Sequence, residues 1–154
     1  MKGSLKPVPA GYHTVTPYLT VSNAVEALEF YNRAFGAKEH LRLQTKNGRI
    51  VHAEMGLGDS RLMLAEESAL SSTRSPNALN GSTVSVFLYV EDVDSAFARA
   101  TKAGAKTEMS PQDMYWGDRF CKLTDPFGHK WMLSSHVEDV SQEEVVTRAS
   151  AQII

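Results

Sequence analysis

From about Thr14 to Val21 the chain alternates with a period of two. Val15, Pro17, Leu19 and Val21 fall on one side and Thr16, Tyr18 and Thr20 on the other, which predicts a half-buried strand. The period then lengthens. Ala24, Ala27, Leu28, Tyr31 and Phe35 make an apolar stripe at helical spacing, with Asn23 and Glu26 as a capping box and Gly36 as the stop. Strand-like segments follow near Glu39–Gln44, Arg49–Leu57 and Ser60–Ala65, separated by the turn signals Asn47-Gly48 and Gly58-Asp59.

The pattern then repeats about 69 residues further on. Val15–Val21 is echoed by Val84–Val90, Gly36-Ala37-Lys38 by Gly104-Ala105-Lys106, and Leu62-Met63-Leu64 by Trp131-Met132-Leu133. Asp92 caps a second helix whose stripe is Val93, Ala96, Phe97 and Ala100, and Gly104 stops it. Strands are expected near Thr107–Gln112, Arg119–Thr124 and Lys130–Ser135, the last two joined by the turn Asp125-Pro126-Phe127-Gly128. The predicted fold class is α+β, with two tandem βαβββ modules. In a single domain, 1–154, module one covers about 12–66, a polar Ser-rich linker about 67–82, module two about 83–136, and a helical tail about 141–154.

Composition narrows the class without naming a ligand. The 154 residues carry a net charge of −2, and no Lys/Arg block suggests nucleic acid. No apolar run approaches the roughly 20 residues of a bilayer span. The first residues lack a signal-peptide core, and the lone Cys121 rules out an internal disulfide, so a cytoplasmic location is expected. Cys121 reads as a small buried hydrophobe, His129 as exposed after its turn, and His13 and His40 as uninformative. Asp118 and Arg119 read as a turn pair, set at the entrance of a site or merely solvated.

Several motifs carry a resemblance: Thr16-Pro17-Tyr18-Leu19, Ala27–Gly36, Gly48–Glu54, Leu88–Val93, Gly117-Asp118-Arg119, Asp125–His129 and His136–Ser141. On these the chain resembles the vicinal oxygen chelate superfamily of glyoxalases, bleomycin-resistance proteins and extradiol dioxygenases, and within it the PhnB-like branch. The resemblance implies a curved half-barrel sheet from each module, helices on the outer face, an inner cavity and a homodimer. It also implies a divalent metal held from the first and last strands of each module. Those four positions are Thr16, Met63, Ser85 and Met132 here, and alcohols and thioethers are poor ligands for zinc, nickel or iron.

Two readings follow. In the first, the protein binds a small apolar or aromatic molecule without the usual metal and with no cofactor. Thr16, Tyr18, Met63, Ser85, Phe87, Tyr89, Trp116 and Met132 then line the cavity. In the second, it is a metal-dependent lyase or isomerase of the glyoxalase type, with His52, Glu54 and His136 as a relocated ligand set for one divalent metal. A hydrogen-bonded His52–Glu54 pair without metal, and aromatic residues that merely fill the interior, remain the plainer alternatives. Neither membrane nor nucleic acid is an expected partner.

Overall fold

A computed structural model describes residues 5–152, so the outermost residues of the 1–154 reading and of its tail helix lie outside the described residues. The fold is α+β, built as two compact βαβββ units that divide between Gly81 and Ser82. The first unit runs β1 (Tyr18–Val21), α1 (Ala24–Phe35), β2 (Lys38–Gln44), β3 (Ile50–Leu57), β4 (Ser60–Glu66) and a short α2 (Pro76–Leu79). The second runs β5 (Ser85–Tyr89), α3 (Val93–Ala103), β6 (Lys106–Asp113), β7 (Asp118–Thr124), β8 (Lys130–His136) and α4 (Gln142–Gln152). Each unit forms one four-stranded, curved, open sheet, in the orders β1-β4-β3-β2 and β5-β8-β7-β6. β1 pairs with β4 in parallel, as β5 does with β8, and the remaining pairs are antiparallel. A parallel pair needs a crossover, and the helix after the first strand is its first leg.

Strand alternation decides what each sheet face carries. In the first unit Leu19, Val21, Ala53, Met55, Leu62 and Leu64 are buried, as are Ala24, Ala27, Leu28, Phe30, Tyr31 and Ala34 of α1, which packs on that sheet. The stripe is thus wider than its spacing predicts, because Phe30 turns inward as well. Asn23 accepts from the Glu26 backbone at 3.1 Å, and Gly36 closes the helix in the left-handed region. In the second unit the core holds Val93 and Ala100 of α3 with Cys121, Leu123, Trp131 and Leu133. The turn after β7 is organised by Asp125. Its Oδ1 accepts the backbone N–H groups of Phe127 and His129, both at 2.9 Å, and its Oδ2 accepts Trp131 Nε1–H at 2.8 Å.

Several expectations are corrected. The first strand begins at Tyr18, four residues later than its alternation suggests, so Thr16 precedes the strand and Val15 is exposed. Pro17 is the physical reason, since it has no N–H to give a ladder, although its carbonyl still accepts from Met63 at 2.9 Å. The linker contains α2, capped by Ser75 with Pro76 in the first turn. Arg119 lies in β7 rather than in a turn, and it forks onto Asp94 of α3 at 2.6 and 2.9 Å and also meets Asp113. Asp118 is buried rather than solvated, and His129 is half-buried. Ser141 caps α4 through the Glu144 N–H.

Candidate functional site

The sheet faces turned away from the helices carry the chemistry, and the two units carry different kinds. In the first, register places Tyr18, Met63, Glu54 and Leu41 in one row across β1, β4, β3 and β2, with His52 beside Leu43 in the next. Three of these side chains form a network with Arg61 of β4 and with Tyr12 from outside the sheet. His52 Nε2 lies 3.1 Å from Glu54 Oε1, and His52 Nδ1 lies 2.9 Å from the Tyr18 hydroxyl. Tyr12 donates its hydroxyl to Glu54 Oε2. Arg61 stacks its guanidinium over the Tyr12 ring, 5.6 Å from the centroid.

Hydrogen bonds from Tyr12 and then His52 hold the Glu54 carboxyl below the ordinary carboxylate range, against a smaller opposing effect of burial. The same bond to Glu54 raises the Tyr12 phenol, and burial raises Tyr18. With Glu54 ionised, His52 carries its proton on Nε2, which leaves Nδ1 to accept from Tyr18 O–H.

The second face is aromatic. Phe87, Met132 and Lys122 share one row, and Tyr89, Ser134 and Phe120 the next. Phe87 stacks on Phe120 with centroids 5.8 Å apart, Tyr89 tilts against Phe87 at 5.2 Å, and Trp116 meets Phe120 edge-on at 5.5 Å. Phe87 and Tyr89 are nonetheless 42% and 70% exposed. At the end of this face Asp118, only 3% exposed, accepts from Ser134 Oγ at 2.8 Å, His136 Nδ1 at 2.9 Å and the Tyr89 hydroxyl at 3.4 Å. Burial works to raise the Asp118 pKa, but the bonds from His136, Ser134 and Trp116 together outweigh it and hold it low. His136 also meets Asp139 at 2.8 Å, and these two carboxylates, Asp139 first, raise its pKa.

These positions test the donor sets for a metal. Met63 and Met132 lie on the open faces, Ser85 is exposed at the start of β5, and Thr16 is half-buried ahead of β1. Two alcohols and two thioethers do not fit the superfamily's metal. The side chains of the relocated set have hydrogen-bond partners of their own. His52 and Glu54 are hydrogen-bonded to each other, and His136 is held between Asp118 and Asp139. Among the described residues, no group of three or more His, Cys, Asp or Glu side chains is arranged to hold a metal ion.

Of the residues singled out in the sequence, Tyr18 joins His52 and Glu54, and Phe87 and Tyr89 join Trp116. Tyr12, Arg61 and Phe120 were missed. Tyr12 precedes the first predicted strand and meets Glu54 across 42 residues of chain, whereas Arg61 was legible as a β4 position in phase with Met63. Phe120 was legible as a β7 position in phase with Lys122.

Comparison with known proteins agrees with this architecture. Uncharacterised proteins of Mycobacterium bovis and Mycobacterium tuberculosis are 35% identical over 141 residues, covering 90% of this chain and 93% and 83% of theirs. TioX from Micromonospora sp. ML1 superposes with a TM-score of 0.64 at 29% identity, over 81% of this chain and 99% of its own. The fosfomycin resistance protein FosX from Listeria monocytogenes, solved with Mn(II) and sulfate, shares the fold at a TM-score of 0.61 but only 14% identity, over 88% of this chain and 96% of its own. The sequence profile of the glyoxalase/bleomycin resistance protein/dioxygenase superfamily matches residues 12–133, which takes in both repeats, and the chain belongs to that superfamily.

Proposed function

We propose that this protein binds a small, planar, largely apolar molecule on the aromatic face of its second unit, without a metal at the superfamily's usual positions. One observation carries the reading. Phe87, Tyr89, Trp116 and Phe120 form a continuous aromatic cluster, yet its two β5 members stay exposed. Aromatic rings left at a surface are an unspent source of stacking and burial energy. Met132 beside them adds an adaptable thioether, and the Tyr89 hydroxyl, tied to Asp118, offers a polar handle. The half-exposed Tyr18 and Met63 give the first unit a smaller apolar contribution of the same kind, with Thr16 as a flanking hydroxyl, as Ser85 is to the second unit's face. We place the protein in the PhnB-like branch as a cytoplasmic homodimer, whose second copy would cover apolar surface that a ligand leaves open. No helix among the described residues is long and apolar enough to cross a membrane.

Fluorescence tests the reading directly, because Trp131 is buried and tied to Asp125 while Trp116 lies on the aromatic face. Titration with naphthalene- and quinoline-type compounds should quench Trp116 saturably. Phe87→Ala should weaken binding about tenfold, matching about 1–1.5 kcal/mol for one lost stacking partner. Elemental analysis of protein purified without chelator should find far less than one metal per chain. Saturable binding indifferent to Phe87→Ala would reject the aromatic site, and one tight metal per chain lost in His52→Ala would reject the metal-free reading.

A further inference from the structure

The aromatic face of the second unit has a basic end and an acidic end. Strand alternation puts Asp118, Phe120, Lys122 and Thr124 of β7 on that face. Register sets Lys122 in the row of Phe87 and Met132, and sets Lys130 and Lys106 beside Thr124 in the row beyond. Glu108 lies among these cations, where it pairs with Lys130 and accepts the Thr124 hydroxyl. Asp125, which follows β7, is taken up by the backbone N–H groups of its own turn and by Trp131 of the core. Three ammonium groups therefore meet one open carboxylate. The far end carries the opposite sign, with Asp118 and Asp139 on either side of His136.

Lys122 joins this charge to the rings. Its Nζ stands over the Phe120 ring, 5.9 Å from the centroid, and Phe120 in turn stacks on Phe87. The side chain is half-buried, and no carboxylate among the described residues lies within ion-pair distance of its ammonium. A ring face attracts an ammonium less than an oxyanion does, so this contact fixes where the charge stands without neutralising it. We propose that the ligand of the aromatic face is an aromatic acid, with its ring plane against Phe87 and Tyr89 and its anionic group at Lys122. This assignment rests on the aromatic-site reading above and adds the charge of the ligand and its direction. Asp118 at the other end repels the acid group, so the neutral edge of the ring system lies toward the Tyr89 hydroxyl. The same polarity disfavours an aromatic cation at Lys122.

Naphthoate and naphthamide of the same substitution are alike in shape and differ in charge. Titrated calorimetrically into the full-length protein, naphthoate should bind about fivefold more tightly, as one half-exposed ion pair would give. That margin should shrink at high salt. Lys122→Met should bring the two compounds within about twofold of each other, Lys122→Arg should keep the margin, and Phe87→Ala should weaken both alike. If Lys122→Met fails to fold, judged by loss of its circular dichroism, Lys122→Gln takes its place, and the salt dependence of the parent protein decides without any substitution. Equal binding of the two compounds, a margin indifferent to salt, or a margin that survives loss of the Lys122 charge would overturn the aromatic acid and leave the aromatic site standing. Binding of neither compound would overturn the aromatic site and this assignment with it.

Discussion

Replacing Asp118 by Ala should destabilise the protein by about 2–4 kcal/mol, mainly through Ser134. The Ser134 hydroxyl is fully buried, and its hydrogen has Asp118 Oδ2 as acceptor at 2.8 Å. A hydrogen bond to a charged group contributes about 1.5–3 kcal/mol, and a buried hydroxyl left without a partner costs about 1–3 kcal/mol. The His136 bond adds less, because that ring is half-exposed and keeps Asp139. Urea unfolding of Asp118→Ala, Ser134→Ala and the double variant closes a cycle. The coupling between the two residues should be about 1–2 kcal/mol, and the Asp118–His136 coupling should be smaller. The linkage has a definite sign. Because the folded Asp118 pKa is depressed, its stabilisation is present above the unfolded value of 3.8 and fades as pH falls through the folded value. The penalty of Asp118→Asn should therefore shrink in acid. A change below about 0.5 kcal/mol for Asp118→Ala at neutral pH would refute the argument, since it would mean that Ser134 finds another acceptor or that Asp118 is not ionised.

His136 runs the opposite way: its folded pKa is raised above 6.5, so its contribution is complete below that value and lost as pH rises through the folded value. Paired melting curves should show His136→Gln less stable than the parent at pH 5.5 and equal to it at pH 9. Gly117→Ala should cost about 2–3 kcal/mol or more by urea unfolding, since φ is +97° and the new carbon would lie 2.2 Å from the Glu138 carbonyl oxygen. Trp131→Phe should cost about 2–4 kcal/mol in the same assay by opening a space in the core and removing the Nε1–H donor to Asp125.

The duplication itself invites comparison of matching positions. Tyr18 and Met63 in one unit correspond to Phe87 and Met132 in the other, and each pair is laterally matched in its sheet. The β3 partner of the first row is Glu54, whereas the β7 partner of the second is Lys122. His52, two residues before Glu54, likewise gives way to Phe120. One scaffold thus presents a hydrogen-bonded Tyr–His–Glu network on one sheet and a stack of rings on the other. Fold and function separate at this level, because the helix-side residues that hold the sheets together leave the opposite face free to vary.

Local physics made much of this architecture readable from the amino-acid order. A two-residue period, two helical stripes and caps at Asn23 and Asp92 specify strands and helices from near neighbours alone. Repetition of that pattern made the βαβββ unit visible twice, and alternation placed His52 with Glu54 on one face. Contacts distant in sequence were beyond such reading. Tyr12 onto Glu54, Arg61 against Tyr12, and Asp118 gathering Ser134 and His136 depend on which strands lie side by side and how far each side chain reaches. Arg119 shows the same limit: alternation says only that it faces away from Asp118, and the position of α3 hands it to Asp94. Periodicity reports which face a residue takes, while the partner it meets there is chosen by tertiary packing.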